Sequence, residues 1–410
     1  MIELLKLLLV FLLILLLVRR HVPLGLSILA GGFFLGLLFR LSLLRILESS
    51  GIAAVEWPTI HLLVIVLLIL VFGDLLKALK SLESLSVGLE GLFGSTRLLL
   101  MFLPALVGLL PMPAGAMMSA PMVEQVGNRK NIPADVMMAV NYWFRHVLEF
   151  TWPLYLGVVL SASLLHISLR QVILAQMPLS LAMILGGAVF LIPRIKVQGD
   201  RRETSAAWRR NLKLTFVGIL PVLAVVGLNL AAGVDIALAL FLVLIVFGLI
   251  KRLRVRRWLQ MLRCAISPDI VILILAVMIF KKLITVSGAI DTMPASLAKA
   301  GIPSIFAVFV VPFAVGILTG MTSAFIAISY PVLLSFLAPQ GVDYGFMMLA
   351  YGAGFMGVML SPVHLCLVVT KRYFKVNLAQ IYAALMPASL LLLFLAVALV
   401  LLGFPWGQIG

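Results

Sequence analysis

The sequence predicts an all-α polytopic membrane protein of about 10 transmembrane helices plus two re-entrant hairpins, arranged as two inverted-topology repeats. Composition, a proline-marked internal repeat and the placement of basic residues carry that expectation. Of 410 residues, 63% are hydrophobic and 11% charged, with a mean hydropathy of +1.22. That leaves too few polar side chains to cover a water-soluble surface. The formal charge of +16 sits in short clusters between apolar runs, which is how cytoplasmic loops read. No nucleic-acid partner is expected; the expected partner is the lipid bilayer. Cys264 and Cys366 are too few and too far apart for a disulfide framework or a metal cage, so both read as packing residues.

The chain begins "MIELLKLLLVFLLILLLVRR". A cleaved signal would carry its positive charge before the apolar run and small residues after it. Here Arg19 and Arg20 follow the run, which reads as a retained span.

A shift of 210 positions pairs Pro58 of "WPTI" with Pro268 of "SPDI", and Pro121 of "SAPMV" with Pro331 of "SYPVL". A shift of 209 pairs Pro153 of "WPLYLGVVL" with Pro362 of "SPVHLCLVV". Prolines at a nearly constant offset inside matching apolar patterns define two repeats, residues 1–195 and 212–405, joined by a basic cytoplasmic linker, 196–211. The spans read as 2–18, 23–39, 57–79, 133–167 and 172–193, then 212–230, 233–250, 266–283, 344–370 and 380–402. The fourth span is read as one helix broken at "EFTWP".

Between the third and fourth spans lie apolar stretches with broken centres: 96–126, interrupted by "PMPAG", and 304–336, interrupted by "TGMTS". A straight helix of 31 residues would run roughly 46 Å, well past a hydrocarbon core of about 30 Å. Each arm alone, at roughly 22 Å, is too short to cross. Both stretches therefore read as re-entrant hairpins, 96–126 facing the cytoplasm and 304–336 facing outward. Five crossings per repeat then place 23 Lys and Arg on one face and seven on the other, with Arg145 inside the membrane, which accounts for all 31. The positive-inside rule makes the richer face cytoplasmic. Both termini are then external, and the basic loops 194–213 and 251–263 are cytoplasmic. Five is odd, so the second repeat enters upside down.

Inverted repeats with matching broken helices point to a secondary transporter whose site lies at the midplane between them. At the first hairpin, Pro113 and Gly115 precede a new helix whose N-terminus suits an anion, with Ser119 one turn on. At the second, Gly320 makes the break, and Thr322 and Ser323 add hydroxyls. "NYWFRHVLEFTWP" places Arg145, His146 and Glu149 in one span. Entering near residue 134, Arg145 lies about 16 Å deep by helical rise. Arg145 and Glu149, four apart, share a helix face and can pair. Ionisable residues at such depth mark substrate or proton paths. Arg145 is the expected substrate contact; His146 and Glu149 are the expected coupling residues for a proton. Sodium on carbonyls near Pro113 and Gly320 is the other coupling ion considered. His364, in "LSPVHL", follows the break in the second repeat and matches Tyr155 in the first. Asp74 is expected to pair with Lys77, His61 to sit near the interface at a helix start, and Glu124 at a hairpin mouth.

A channel and an intramembrane hydrolase are the other functions to weigh. His146 and Glu149 give H-x-x-E without the second histidine of a zinc protease, and no nucleotide-binding or nucleophile-elbow motif is present. Neither an enzyme nor an organic cofactor is expected.

"LPMPAGAMMSAPMVEQVG", "NYWFRHVLEFTWPLYLG" and "GFMGVMLSPVHLCLVVTKRYFKV" resemble the signature blocks of the integral membrane family catalogued as domain of unknown function 401, over nearly the whole chain. That family is similar in outline to the ion transporter superfamily of gluconate, arsenite, citrate and dicarboxylate carriers. The resemblance implies inverted five-span repeats, each with a hairpin and a broken helix, and assembly as a homodimer. The Ser-Asn-Thr signatures of dicarboxylate carriers are absent; "TGMTS" resembles the hairpin tips of gluconate permeases. The combined expectation is symport of a small anion across the plasma or cell inner membrane.

The charge distribution makes a direct prediction. A single cysteine at Ser205, in an otherwise cysteine-free variant, should resist an impermeant thiol reagent in intact cells. Labelling from outside would contradict the charge-derived orientation.

Overall fold

A computed structural model describes residues 2–93, 95–109, 115–196, 208–407 and 409; among them all regular structure is helical. The first half contains α1 (Ile2–Arg19), α2 (Leu24–Leu38), α3 (Leu43–Val55), α4 (Trp57–Ala78), α5 (Ser81–Leu92), α6 (Thr96–Gly108), α7 (Gly115–Asn128), α8 (Ala134–Arg145), α9 (Leu156–Leu165) and α10 (Leu169–Phe190). The second contains α11 (Trp208–Val226), α12 (Ile236–Ile250), α13 (Val255–Ala265), α14 (Pro268–Val286), α15 (Ala289–Lys299) and α16 (Ser304–Thr319). It continues through α17 (Thr322–Val332), the one-turn α18 (Leu334–Leu337), α19 (Tyr344–Met359), α20 (Leu365–Phe374) and α21 (Leu378–Leu401).

By length and composition, four stretches among the described residues can each cross a membrane alone. They are α4, α10 extended to Arg194, α11 extended through a π-turn to Ala231, and α21. The pair α14 and α15, bent by 69°, makes a fifth if taken as one span. The protein is an all-helical, apolar membrane protein. Helices α2, α6, α9, α12, α16, α17 and α19 are apolar but shorter, at 10–17 residues, and α1 has 18.

Helix boundaries recur along the chain. Ser168 and Asn377, 209 apart, each form a capping box with the glutamine three residues on, Gln171 and Gln380. Such a box satisfies two of the amide donors that a helix start leaves open. Left-handed residues recur too: His21 with Gly233, Arg40 with Arg252, Lys80 with Gly288, Asn131 with Gly341, and His166 with Lys375, all 208–212 apart.

Packing across the halves is reciprocal. Helix α2 packs on α14 as α12 does on α4; α5 packs on α11 as α15 does on α1; α9 packs on α17 as α20 does on α7. Element i meeting j′ while j meets i′ is what a two-fold relation produces. At the centre, α8 is buried from Val136 to Arg145 and α19 from Met347 to Met359. Helices buried on all sides belong to the middle of a bundle.

Several boundaries differ from the sequence expectation. The fourth span breaks earlier than "EFTWP": α8 ends at Arg145 and α9 begins at Leu156. Helix α11 starts at Trp208, inside the expected linker, whose residues 197–207 lie outside the described residues. The expected loop 251–263 is largely α13, which buries Met261 and Ala265 and exposes Arg256, Arg257 and Arg263. That division of faces is typical of a helix lying in the membrane interface. Helices α3, α5 and α15 also fall outside the expected spans. All four are too short or too polar for a search tuned to crossings.

Close packing of α16 on α19 depends on small residues. A Cβ on Gly316 would collide with the carbonyl of Gly354, and one on Gly357 with that of Phe313. Without water to drive apolar burial, such backbone approach holds membrane helices together. Gly316→Ala should therefore cost about 1–3 kcal/mol by overpacking, read as a lowered melting temperature in detergent. Gly73→Ala, in α4 with nothing within 4 Å of its Cβ, should be neutral or slightly stabilising. Equal stability of the two variants would contradict this packing.

Candidate functional site

The polar centre forms where α8 stops. Arg145 closes its last turn, and residues 146–155 cross to α9 in a series of turns. Arg145 is 3% exposed and Glu149 7%, so their pairing is not a solvated surface bridge. Arg145 Nη1 donates to Glu149 Oε1 at 2.7 Å and to the Tyr155 hydroxyl at 3.0 Å. Breaking a buried pair on one side typically costs about 3–5 kcal/mol, because the survivor is left uncompensated.

Tyr155 also donates to the carbonyl of Gly108, the last residue of α6. Trp152 Nε1 donates to Leu109 O at 2.9 Å. The break after α8 is thereby tied to the end of α6. The second half repeats the arrangement. His364, 209 residues after Tyr155, bonds through Nδ1 to Gly320 O at 2.7 Å. Ser361, 209 after Trp152, donates to Ile317 O at 2.7 Å. Tyr155 and His364 are also the N-cap residues of α9 and α20. Gly320 has φ +65° and lies so close that a Cβ would stand 2.8 Å from His364 N; both features require glycine.

The two breaks meet. His146 Nε2 lies 3.4 Å from His364 Nε2, and Tyr142 sets its ring edge-on to both imidazoles. Tyr351 of α19 donates to the Glu149 carbonyl at 2.9 Å, and Tyr142 of α8 to that of Met359 at 2.8 Å. Each half thus satisfies carbonyls that the other half's break leaves open.

Of the residues expected at the site, Arg145, His146, Glu149, His364 and Gly320 share this centre. Gly115, at the start of α7, adjoins it: a Cβ there would lie 2.9 Å from Arg145 Nε and Nη2. Ser119 is buried but turned to its own helix, donating to Ala116 O. Thr322 packs its methyl near Gly157 at the start of α9, beside the Tyr351 hydroxyl rather than Arg145. Ser323 follows it in the first turn of α17, partly buried. Pro113 lies outside the described residues. Among the minor candidates, Asp74 pairs with Lys77 at 3.0 Å, His61 meets Asp235 at 3.1 Å, and Glu124 accepts from Tyr373.

Sequence reasoning missed Asn141, Tyr142, Tyr351, Trp152 and Ser361. The 209-residue offset, carried past the prolines, would have found Trp152 with Ser361. Asn141 is fully buried one turn before Arg145; it donates to Ala116 O at 2.9 Å, and its Oδ1 has no hydrogen-bond partner among the described residues. A separate cavity of about 850 Å³ opens among His61, His166, Arg170 and Asp235, away from this centre.

No curated protein matches the chain in sequence. A match over residues 3–404 to the family described as "Protein of unknown function (DUF401)" spans nearly the whole chain, which belongs to that family.

Proposed function

We propose that the protein is a secondary active transporter of a small anionic solute, with H+ or Na+ as coupling ion and Arg145 as the fixed cationic contact. The observation that carries this reading is the buried Arg145–Glu149 pair at the junction of two broken helices. As it stands the pair is neutral. An anion that engages Arg145 leaves the site with one excess negative charge, and a buried uncompensated charge is costly. A cation entering with the anion restores neutrality, whether a proton on Glu149 or His146, or sodium on carbonyls at the breaks. Coupling is then a consequence of charge balance. Asn141 Oδ1, one turn before Arg145 and without a hydrogen-bond partner among the described residues, offers an acceptor suited to a coupling cation or a solute hydroxyl. Gly115, with no side chain, lets the Arg145 guanidinium lie against the N-terminus of α7, where helix amides favour negative charge.

In this reading the halves are inverted repeats about a midplane site, and their polar contacts support it. Glu56 with Lys282 at 2.6 Å, His61 with Asp235 at 3.1 Å, and Lys281 with Leu164 O at 2.7 Å join residues that charge counting puts outside. Arg97 with Ile195 O at 3.2 Å, Arg194 with Ala383 O at 3.3 Å, and Tyr373 with Glu124 join residues it puts inside. Kinship with the ion transporter superfamily, a plasma- or inner-membrane location, external termini and a homodimer belong to the same proposal.

Uptake by proteoliposomes tests it, with labelled gluconate, citrate and succinate under imposed pH or sodium gradients. Wild-type protein should accumulate at least one of these anions. Arg145→Lys should lower uptake at least tenfold while still inserting, since a lysine lacks the planar fork and loss at a buried charge pair is worth about 2–5 kcal/mol. No accumulation of any of the three, or normal uptake by Arg145→Lys, contradicts the assignment. Glu149→Gln leaves the empty site positive, so an anion alone neutralises it. That variant should exchange anion across the membrane without accumulating it. Full gradient-driven accumulation would remove Glu149 from the coupling scheme.

A further inference from the structure

We propose that His146, His364 and Cys366 form a binding site for a soft monovalent metal ion of the Cu+ class, where the two helix breaks meet. The proposal is independent of transport. One ligand atom from each of the three residues lies within 4.8 Å of the others. His146 comes from the break after α8. His364 is the N-cap of α20, and Cys366 lies in that helix's first turn. The three converge only because the halves pack together.

Both imidazoles are oriented for ligation. His146 Nδ1 lies 2.6 Å from Tyr142 O, and His364 Nδ1 lies 2.7 Å from Gly320 O. A carbonyl can only accept, so each Nδ1 carries the hydrogen and each neutral ring directs its Nε2 lone pair at the other. Metal-ligating histidines are usually held in this way by a carbonyl or carboxylate. Two lone pairs face to face repel unless something lies between them. Their separation, 3.4 Å, falls within the distance of about 3.3–3.6 Å that tetrahedral or trigonal geometry gives for metal–nitrogen bonds of about 2.0–2.1 Å.

Charge and softness select the ion. Two imidazoles and a thiolate suit copper or zinc rather than magnesium or calcium, which take oxygen ligands. Binding converts the Cys366 thiol to a thiolate, with the S–H proton released to solvent and a sulfur–metal bond formed. With Cu+ the three-ligand complex is neutral. With Zn2+ it keeps one positive charge, which is expensive in an apolar core. The walls are apolar, formed by Tyr142 and Phe355, and the neutral Arg145–Glu149 pair adds no net charge.

Full-length protein stripped with chelator and kept reduced should take up one Cu+ per chain in competition with bicinchoninate. Cys366→Ser, His146→Gln and His364→Gln should each weaken that binding at least tenfold. Cys264→Ser, which changes the exposed cysteine, should bind as wild type does. X-ray absorption of the copper-loaded wild type should show two nitrogens and one sulfur around the ion, a readout that does not depend on any variant folding. A first shell without sulfur, no uptake by the wild type, undiminished binding by Cys366→Ser, or preference for Zn2+ over Cu+ would each overturn the proposal.

Discussion

A helix that stops inside an apolar protein leaves carbonyls that water cannot reach, each costing several kcal/mol if unmet. The centre of this protein is organised around that constraint. Trp152 and Tyr155 serve the end of α6, while Ser361 and His364 serve Ile317 and Gly320 at the end of α16. Tyr142 and Tyr351 reach across to carbonyls in the opposite half. Broken helices are normally a weakness; here each break is held by side chains from another element. The breaks therefore keep defined shapes, as a binding site requires.

Equivalent positions in the two halves then carry different chemistry. Tyr155 and His364 occupy equivalent N-caps and hold equivalent carbonyls, but the tyrosine hydroxyl also receives Arg145 while the imidazole turns its free nitrogen to His146. Arg145 and Glu149 have Gly354 and Val358 at the positions 209 residues later, where α19 packs tightly on α16. One half thus contributes the ion pair and the other a close-packed wall. In the proposed transporter, a solute held between them would touch a charged surface on one side and a rigid one on the other.

The helical membrane class of the protein, the recurrence of features at an offset near 209 and the Arg145–Glu149 pair were legible in the sequence because each leaves a linear signal. Those signals are hydropathy, prolines at constant offset, and four-residue spacing. The short helices α3, α5, α13 and α15 were not; α13, for example, reads as a basic loop until its buried face, Met261 and Ala265, is seen. The carbonyl-binding residues were hidden for another reason. A tryptophan, a tyrosine or a serine in an apolar run looks like packing, and its donor role depends on which distant backbone end lies beside it. The proximity of Cys366 to His146 was hidden because 220 positions separate them.

Whether Arg145 holds a solute decides the proposed function. The most direct measurement is an experimental structure of protein purified with its endogenous solute, or loaded with a transported anion. Density within hydrogen-bonding distance of the Arg145 guanidinium, beside Gly115, is the predicted result. Density confined to the cavity between His61 and Asp235, with the Arg145–Glu149 pair undisturbed, would contradict it.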